Sequence, residues 1–359
     1  MQNINVSILG CGNGGMALAA DLKRKGAKVA LWSHQSHADK FNKILQNNAE
    51  IILTDELEIT VKLDMVSLNL SEVVNFGDII YNCLPMAAHT DIFSQIITCL
   101  KKNTNREKYI INLSGVFSAI DQYLTLEKSG LASHIKIYDT SSFPYACRAG
   151  SQNDVTILGR KKELQIAALF PKDHDTLNMI PESAKPTHFK LIENSLKLGL
   201  QGTNAVSHPA RVLFNARLIE NGSEFLFYRE GTSKQTSLLL HAMDEERLLL
   251  AKTMGYSLIS SVEEANVAYG TQFKDSYDFS INSSVHKTVK APTTLAHRFI
   301  TEDVPYGLVP LITLAKLYGL QLPNIESVIT LFSTIMGVDY KKSGRHLQSL
   351  TRQTINELS

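Results

Sequence analysis

The sequence predicts a doubly wound α/β domain followed by a mostly helical domain. Short apolar strands alternate with helical stretches in the first part of the chain, which is typical of a mainly parallel sheet covered on both faces. Beyond Pro181 and Pro186, apolar residues recur mainly at helical spacing. We therefore assign residues 1–186 to the α/β domain and 187–359 to the helical domain, and we expect the functional site in a cleft between them.

The individual elements follow from apolar periodicity and from glycine and proline positions. Strands are predicted at residues 5–9, 28–32, 78–83 and 109–113, with later strands at 155–158 and 176–180. A helix is predicted at 16–25, and the second domain is predicted to contain helices at 189–199, 244–252, 308–318 and 325–336. Gly255, Gly319 and Gly337 fall where helices commonly end, and Pro323 falls where one begins.

The composition argues against several classes of partner. The chain has 359 residues, with 36 Lys and Arg against 35 Asp and Glu. This balance predicts small-molecule substrates rather than nucleic acid or an anionic membrane. The four cysteines form no C-x-x-C pair, so we expect no metal site. The sequence shows no signal-peptide pattern and no membrane-spanning apolar run, and we expect a cytoplasmic protein.

A glycine-rich turn gives the first functional prediction. Gly10, Gly12 and Gly15, with Asn13 and Gly14 between them, follow a predicted strand and open a predicted helix. The first glycine permits the tight turn, the second lets the backbone approach a pyrophosphate, and the third lets helix and strand pack closely. The helix amino terminus then presents free N–H groups to the phosphates. The pattern predicts a Rossmann domain that binds a nicotinamide dinucleotide.

The choice between NAD and NADP stays open in the sequence. An NAD-binding domain usually ends its second strand with Asp or Glu, which binds the ribose 2′-hydroxyl. Here Ser33 and His34 follow Trp32 instead. Ser33 is able to donate a hydrogen bond to a 2′-phosphate, and His34 or Lys40 to add charge. The alternative is that these are ordinary loop residues, so NADP is plausible and use of both cofactors is open.

Several runs of residues carry a family resemblance along nearly the whole chain. The glycine turn and Pro85-Met-Ala-Ala-His89 resemble segments of the opine dehydrogenases. Pro144-Tyr-Ala-Cys-Arg148 resembles a segment of the octopine dehydrogenases, and Asn204-Ala-Val-Ser-His208 resembles their Asn-x-x-x-His signature. Phe227-Tyr-Arg-Glu-Gly231 and Thr301-Glu-Asp-Val-Pro-Tyr-Gly307 complete the series in the expected order.

The resemblance implies both a fold and a reaction. Opine dehydrogenases condense an amino acid reductively with a 2-keto acid, usually pyruvate, with NAD(P)H as the reductant. They pair a Rossmann domain with an all-α domain of the type found in 6-phosphogluconate dehydrogenase, which agrees with the organisation inferred from periodicity. The resemblance leaves both a monomer and a homodimer open.

The reaction needs a group that exchanges protons near neutral pH, and histidine suits this role best. Among eleven histidines, His208 follows Asn204 by four residues, so a helix would place both side chains on one face. The resemblance implies that His208 is the acid and base, and that Asp303 orients it. Without the resemblance, His208 also reads as a helix terminus and Asp303 as a cap.

The remaining predicted contacts also come from the resemblance. Arg298 corresponds to an arginine that clamps a substrate carboxylate, which suits the two parallel hydrogen bonds of a guanidinium; the alternative is a surface arginine. Ser142 corresponds to a threonine near the keto acid. Pro85 and His89 are predicted on the cofactor side, with structural capping as the alternative for His89. For Arg148, a structural role and a cofactor-binding role both stay open.

The sequence departs from the family pattern at one loop. Where octopine dehydrogenases carry a Pro-Gly-Gln-type loop, residues 112–116 read Asn-Leu-Ser-Gly-Val, which weakens the expectation of pyruvate.

Two other functions compete with this interpretation. A 2-hydroxy-acid or glycerol-3-phosphate-like dehydrogenase would reduce its substrate without an amine. A protein that senses NAD(P)H without turnover would have no need of a proton-handling pair.

Overall fold

The computed structural model describes residues 4–101, 106–284, 286–347 and 350–358. The chain forms two compact units, the first from Met1–Leu198 together with Gln353–Ser359 and the second from Gly199–Arg352. We predicted the division at residue 186. The structure extends the first unit beyond that point because residues His188–Leu191 still add a strand to its sheet.

The strands found among the described residues all belong to the first unit. They are β1 (Asn5–Leu9), β2 (Lys28–Trp32), β3 (Glu50–Thr54), β4 (Glu58–Lys62), β5 (Met65–Ser67), β6 (Ile79–Asn82), β7 (Lys108–Asn112), β8 (Ile135–Thr140), β9 (Tyr145–Ala149), β10 (Asp154–Arg160), β11 (Glu163–Ala168) and β12 (His188–Leu191).

A large sheet forms the centre of the first unit. Its strand order is β12-β11-β8-β7-β6-β1-β2-β5, and every neighbouring pair is parallel except β8 and β11. The accompanying helices are α1 (Asn13–Arg24), α2 (Asp39–Gln46), α3 (Leu70–Phe76), α4 (His89–Leu100) and α5 (Ser118–Ser129), with α6 (Ser195–Gln201) at the division. The central strands β6 and β7 are fully buried, as expected for a sheet covered on both faces. This confirms the predicted Rossmann architecture.

A second sheet, in the order β4-β3-β10-β9, was not predicted. It packs against α1, and its attachment includes a charge cluster around the buried Asp21. The Asp21 carboxylate accepts hydrogen bonds from Arg160 at 2.8 Å, Arg24 at 2.6 Å and the Tyr145 hydroxyl at 2.7 Å. Asp55 joins the cluster through Arg160 at 2.8 Å. These contacts fix the orientation of α1, whose amino terminus carries the glycine turn.

Two predicted elements in this unit are wrong. Residues 176–180 form no strand, because they continue a 3-10 helix at Pro171–Met179 that begins with its proline. The predicted helix at 189–199 begins too early, since Phe189 pairs in parallel with Leu164 of β11. The strand at 155–158 is confirmed as part of β10.

The second unit is helical throughout its regular elements in the described residues. Its helices are α7 (Asn204–Glu220), α8 (Lys234–Thr253), α9 (Ser261–Tyr269), α10 (Ser276–Asn282), α11 (Arg298–Thr301), α12 (Val309–Leu317), α13 (Pro323–Met336) and α14 (Tyr340–Ser343). The last helix, α15 (Arg352–Leu358), falls mainly in the segment grouped with the first unit. Gly255, Gly319 and Gly337 follow helices with φ of +90°, +70° and +63°, and these left-handed conformations confirm the predicted ends.

A π-helical segment at Asp303–Leu308 lies between α11 and α12. A Cβ atom on its Gly307 would lie 2.4 Å from the Cβ of Ala205 in α7. Glycine is therefore required for the close approach of the two elements. Single turns of π-helix are often found at functional sites, and this one begins at a predicted catalytic residue.

None of the helices in the described part of the chain has the length and apolar character required to cross a membrane.

Candidate active site

The glycine turn has the geometry that its sequence predicts. Gly10 has φ of +111°, which favours glycine, and its N–H donates to the Trp32 carbonyl at 2.9 Å. A Cβ on Gly15 would lie 1.7 Å from the Gly10 carbonyl oxygen, so α1 packs tightly on the turn. A Cβ on Gly12 would meet nothing within 4 Å. The backbone at Gly12 is thus open on the side from which a pyrophosphate would approach.

Two further residues complete the turn. A Cβ on Gly14 would lie 2.4 Å from the Phe143 ring, so only glycine fits beneath that side chain. The Asn13 side-chain oxygen accepts hydrogen bonds from Lys40 Nζ and from the Ala149 N–H, both at 3.1 Å. Asn13 therefore joins the start of α1 to β9. The free N–H groups and open backbone of this turn fit a dinucleotide pyrophosphate.

The end of β2 carries no carboxylate. Ser33 is buried, and its hydroxyl donates to the His37 carbonyl at 3.1 Å. His34 is exposed, and its Nδ1 lies 2.7 Å from the Ser36 hydroxyl. The Ser33 hydroxyl hydrogen is therefore already engaged within the loop, while the Lys40 cation contacts the turn through Asn13.

The segment from Pro85 to His89 follows β6. Pro85 is exposed and precedes a short 3-10 turn. His89 is fully buried, with Nδ1 2.8 Å from the Ser118 hydroxyl and Nε2 2.9 Å from the Leu84 carbonyl oxygen. This placement differs from the cofactor contact that we expected for His89. Since both ring nitrogens bind within the fold, the imidazole connects the loop to α5 and leaves no nitrogen for a ligand.

Buried polar side chains connect the carboxyl ends of β6, β7 and β8. The Asn112 amide donates to Asp139 and to Gln122, both at 3.0 Å, and the Asn82 amide donates to Asn112 at 3.1 Å. Asp139 also accepts the Ala119 N–H at the start of α5. This network fixes the departing loop at 112–116, where Ser114 adopts φ of +56°. Sequence reasoning singled out the loop but missed the network beneath it.

Ser142 lies just beyond β8. Its hydroxyl accepts a hydrogen bond from Lys161 Nζ at 2.6 Å, and its carbonyl accepts one from the Thr140 hydroxyl at 2.9 Å. The neighbouring Arg148 is exposed and donates to the Cys147 carbonyl. Ser142 is only partly buried, so its hydroxyl lies at the surface of the first unit.

The second unit brings together the two predicted catalytic residues, which are 95 positions apart. His208 Nδ1 lies 2.8 Å from Asp303 Oδ2, and the His208 side chain is 10% exposed. His208 lies on α7 just before Pro209, while Asp303 begins the π-helical segment. A buried imidazole held by a carboxylate is an arrangement that can accept and return a proton.

Aromatic side chains surround the His208 imidazole. Phe299 stacks on it with ring centroids 4.0 Å apart, and Phe227 lies 6.0 Å away. The Tyr228 hydroxyl lies 3.1 Å from Nε2, the second nitrogen of His208. Sequence reasoning assigned no role to Phe299 or Tyr228, although Tyr228 stands in the Phe-Tyr-Arg-Glu-Gly run that carries the resemblance.

Arg211 is a buried cation one helical turn after His208. Its guanidinium donates to the hydroxyls of Thr232 and Ser280, both at 2.9 Å, and to the Ser207 carbonyl at 3.1 Å. It also lies 4.8 Å from the centroid of the Tyr228 ring. Burial lowers the pKa of Arg211 to about 10. The sequence offered no signal for this residue, because burial of an arginine depends on tertiary packing.

His286 shares the surroundings of Tyr228, with ring centroids 4.4 Å apart. Burial, together with the charges of Arg211 and His208, lowers the pKa of His286 to about 4. This histidine is therefore neutral at physiological pH. Its Nδ1 is buried without a hydrogen-bond partner among the described residues.

The predicted substrate contacts Arg298 and Asn204 lie near this centre in sequence. Arg298 is 63% exposed and lies 3.6 Å from Glu302. Burial raises the pKa of Glu302, and Arg298 opposes that shift. Asn204 is the exposed first residue of α7, one turn before His208. Both side chains are thus accessible to a ligand. Within the described residues, no cluster of three or more His, Cys, Asp and Glu could hold a metal ion.

The fold and these sites define a class of protein. A dinucleotide-binding turn on a Rossmann unit occurs together with a buried histidine–carboxylate pair on a helical unit. The chain is an NAD(P)-dependent oxidoreductase. Residues 5–122 match the family model of the NAD-dependent glycerol-3-phosphate dehydrogenase N-terminus. Residues 191–336 match the alpha-helical domain of NAD/NADP octopine/nopaline dehydrogenase.

Comparison with whole proteins gives the family. The opine dehydrogenase of Arthrobacter sp. (strain 1C) is 30% identical over 351 residues, which cover 98% of this chain and 96% of that protein. The chain belongs to the opine dehydrogenase family. Octopine dehydrogenase, solved with NADH and agmatine, has a TM-score of 0.77 at 19% identity, covering 96% of this chain and 95% of that one. NADP+-bound yersinopine dehydrogenase has a TM-score of 0.74 at 15% identity, covering 100% and 98%.

Proposed function

We propose that the protein condenses an amino acid with a 2-keto acid, reduces the product to an N-(carboxyalkyl)amino acid with NAD(P)H, and catalyses the reverse oxidation. The observation that carries this proposal is the 2.8 Å hydrogen bond between His208 and Asp303 in buried surroundings. An oxidoreductase that also forms a carbon–nitrogen bond must move several protons, and this pair is suited to move them.

In the proposed mechanism, Gly10, Gly12, Asn13, Gly14 and Gly15 hold the pyrophosphate of the cofactor. When bound, the reduced nicotinamide supplies the hydride. His208 accepts the proton that the attacking amine loses, and returns a proton to the oxygen that leaves as water. Asp303 keeps Nδ1 protonated and stabilises the imidazolium that forms between these two transfers.

Arg298 is proposed to bind a substrate carboxylate. Its exposed guanidinium is held only by Glu302 at 3.6 Å in the contacts described above, so it is able to turn toward an anion. A planar guanidinium also matches a carboxylate with two parallel hydrogen bonds. Asn204 is proposed to bind the same substrate from the first turn of α7, and Ser142 to contact the keto acid with its hydroxyl.

For the cofactor we propose use of both NADH and NADPH, with NADPH preferred. No carboxylate stands at the end of β2 to repel a 2′-phosphate, Lys40 adds positive charge nearby, and the exposed His34 is able to donate a hydrogen bond to the phosphate. Since Ser33 already donates to His37, the proposed selectivity rests on charge more than on that hydroxyl. Pro85, exposed after β6, is the proposed contact on the nicotinamide side.

Pyruvate is the keto acid that we propose. Its polar contact would come from Ser142, because Leu113, Ser114 and Gly115 offer no long polar side chain to replace that of a Pro-Gly-Gln-type loop.

We also propose that the protein is cytoplasmic, since its four free cysteines suit a reducing compartment.

The experiment that tests this function follows oxidation of NADPH and NADH by absorbance. Pyruvate and other 2-keto acids are each supplied with and without a panel of amino acids. The proposal predicts oxidation that requires both substrates, with a higher kcat/KM for NADPH. Oxidation with a keto acid alone would identify a 2-hydroxy-acid dehydrogenase instead. Tight cofactor binding without turnover on any pair would favour a sensing protein.

A further inference from the structure

The Tyr228 hydroxyl occupies the nitrogen of His208 that Asp303 leaves free. Asp303 binds Nδ1 at 2.8 Å, and Tyr228 binds Nε2 at 3.1 Å. Both Tyr228 and His208 are 8% exposed. The imidazole therefore lies between a carboxylate and a phenol, with little access to water as an alternative partner.

The two partners have different hydrogen-bonding capacities. An ionised carboxylate only accepts hydrogen bonds, so Nδ1 of His208 carries a hydrogen toward Asp303. Neutral His208 then presents a bare Nε2, and the Tyr228 hydroxyl donates to it. When His208 is protonated, Nε2–H donates and the Tyr228 oxygen accepts. A hydroxyl is able to serve both protonation states, whereas a carboxylate or an ammonium group serves only one.

Packing holds the Tyr228 ring in place. Arg211 lies 4.8 Å from its centroid, His286 lies 4.4 Å away and Phe227 contacts it edge-on at 5.3 Å. Arg211 is itself fixed by hydrogen bonds to Thr232, Ser280 and Ser207. The hydroxyl is therefore directed at Nε2 by a rigid support, which reduces the entropy cost of keeping this hydrogen bond.

The charges around His208 make a partner for its protonated form necessary. The groups that face it or its immediate neighbours are Asp303, Tyr228, His286, His297, Arg211 and Arg298. Asp303 pairs with His208 at Nδ1, while the Arg211 cation lies against the Tyr228 ring. His286 and His297 add no charge of their own while neutral. Loss of the acceptor at Nε2 would leave a buried cationic N–H unsatisfied, which is costly.

We propose that Tyr228 relays protons between the bound substrate and Nε2 of His208. Its hydroxyl pairs with Nε2 in both protonation states, so its hydrogen passes to Nε2 while its oxygen takes the proton that the amine loses. The reverse transfer returns a proton to the oxygen that leaves as water, without a water molecule as carrier. The hydrogen bond is stronger in the protonated state, because one partner then carries charge. Removal of the hydroxyl therefore destabilises the protonated imidazole more than the neutral one. The inference rests on the proposed acid–base role of His208.

The test compares the full-length wild-type protein with Tyr228→Phe, which keeps the ring on Arg211 and removes only the hydroxyl. At neutral pH we expect kcat for NADPH oxidation with both substrates to fall 10-fold or more, and each KM to change less than threefold. The alkaline limb of the kcat profile moves to lower pH. The deficit therefore shrinks as the pH is lowered, which a purely structural defect would not produce.

A second readout does not depend on turnover. The His208 imidazole is titrated by NMR in both proteins, and its midpoint moves to lower pH in Tyr228→Phe. Tyr340→Phe is the matched control, since Tyr340 is a buried tyrosine of the same unit; its kcat and titration stay at wild-type values. If the wild-type protein turns over no substrate pair, the proposed function fails, whereas the titration still tests Tyr228.

Three outcomes overturn the inference. The first is a Tyr228→Phe protein with wild-type kcat and an unchanged midpoint. The second is a loss of activity that matches a loss of folded protein, measured by circular dichroism, with the pH profile unmoved. The third is an equal effect of Tyr340→Phe, which would show that any buried hydroxyl of this unit matters as much.

Discussion

Two arginines, one in each unit, have opposite surroundings: Arg160 is partly buried and Arg211 is fully buried. Arg160 in the first unit lies 2.8 Å from Asp21 and 2.8 Å from Asp55. In the described contacts, Arg211 of the second unit donates hydrogen bonds to hydroxyl and carbonyl oxygens and to no carboxylate. Burial disfavours both cations. At Arg160, however, the hydrogen bonds to the two carboxylates outweigh burial and raise the pKa, whereas at Arg211 burial lowers it to about 10.

The difference separates a structural cluster from a chemical one. Around Arg160, opposite charges are neutralised, and the cluster holds α1 against the second sheet. Around Arg211, hydroxyl and carbonyl groups accept the hydrogen bonds, and no carboxylate does so in the described contacts. Its positive charge therefore acts on the nearby groups and contributes to the lowered pKa of His286. Buried groups with perturbed pKa values are common at functional sites. The comparison therefore predicts that mutations in one cluster change stability while mutations in the other change turnover.

The largest effect is expected for His208→Ala. Removal of the proton-transfer group should lower kcat about 1,000-fold or more, while the affinity for NADPH, measured by fluorescence titration, stays within twofold of wild type. His241→Ala, an exposed histidine of α8, serves as the control with normal turnover. A His208→Ala enzyme with at least a tenth of wild-type kcat would remove this residue from the chemistry.

A smaller loss is expected for Asp303→Asn. The amide keeps the shape of the carboxylate but loses the charge that stabilises the imidazolium, so kcat should fall about 100-fold. The thermal midpoint of unfolding should change little, since Asp303 is not part of an ion pair with a lysine or arginine in the described contacts. Turnover within threefold of wild type would contradict its orienting role.

Asp21→Asn probes the structural cluster. Burial opposes ionisation of Asp21, but hydrogen bonds from Arg160 and Tyr145 overcome it and lower the pKa. The folded protein thus gains stability from ionised Asp21 above about pH 4 and loses it as the pH falls through the folded-state pKa. We expect Asp21→Asn to reduce the free energy of unfolding by about 3 kcal/mol at neutral pH, the lower end for a broken buried pair, because the arginines are partly exposed.

Turnover per folded molecule should remain normal in Asp21→Asn, and urea unfolding at pH 7 and pH 3 measures the stability change. Because the variant lacks the ionisable group, its stability deficit should be smaller at pH 3. Glu163→Gln, which removes an exposed pair with Lys190, is the control and should cost less than about 1 kcal/mol. A lower kcat in fully folded Asp21→Asn would contradict the proposal that this cluster affects stability and not turnover.

The smallest effect concerns cofactor selectivity. Lys40→Ala removes a positive charge next to the glycine turn and the end of β2. We expect KM for NADPH to rise about fivefold, an energy of about 1 kcal/mol, with KM for NADH nearly unchanged. Steady-state kinetics with each cofactor measure this, and an equal rise for both cofactors would argue against recognition of the 2′-phosphate.

The early strands could be predicted because local signals coincide with the fold. β1 and β2 have the predicted bounds, since each is a short apolar run that ends at the glycine turn or at a polar loop. The second sheet was missed because β3, β4 and β9 alternate between more and less exposed positions, so they lack the continuous buried run that marks the central strands of the large sheet. The strand at His188–Leu191 looked helical because it is only four residues long and its Phe189, with Ile192 and Leu196 after it, also fits helical spacing.

The functional site could be predicted only where its residues stand in a recognised sequence motif. His208 and Asp303 came from signature runs, and the structure brings them together. Tyr228 lies in such a run, but its hydrogen bond to Nε2 depends on the packing of α7 against a distant loop. Arg211 and the burial of His89 depend on tertiary contacts that periodicity does not report.

The most direct test of this account uses NADPH with deuterium at the transferable position, an amino acid and pyruvate. Mass spectrometry and NMR of the product locate the label. We expect one deuterium on the former keto carbon, now bonded to nitrogen, in an N-(carboxyalkyl)amino acid, and about 1,000-fold slower formation of this product by His208→Ala. Deuterium in a 2-hydroxy acid, with the amine unconsumed, would contradict it.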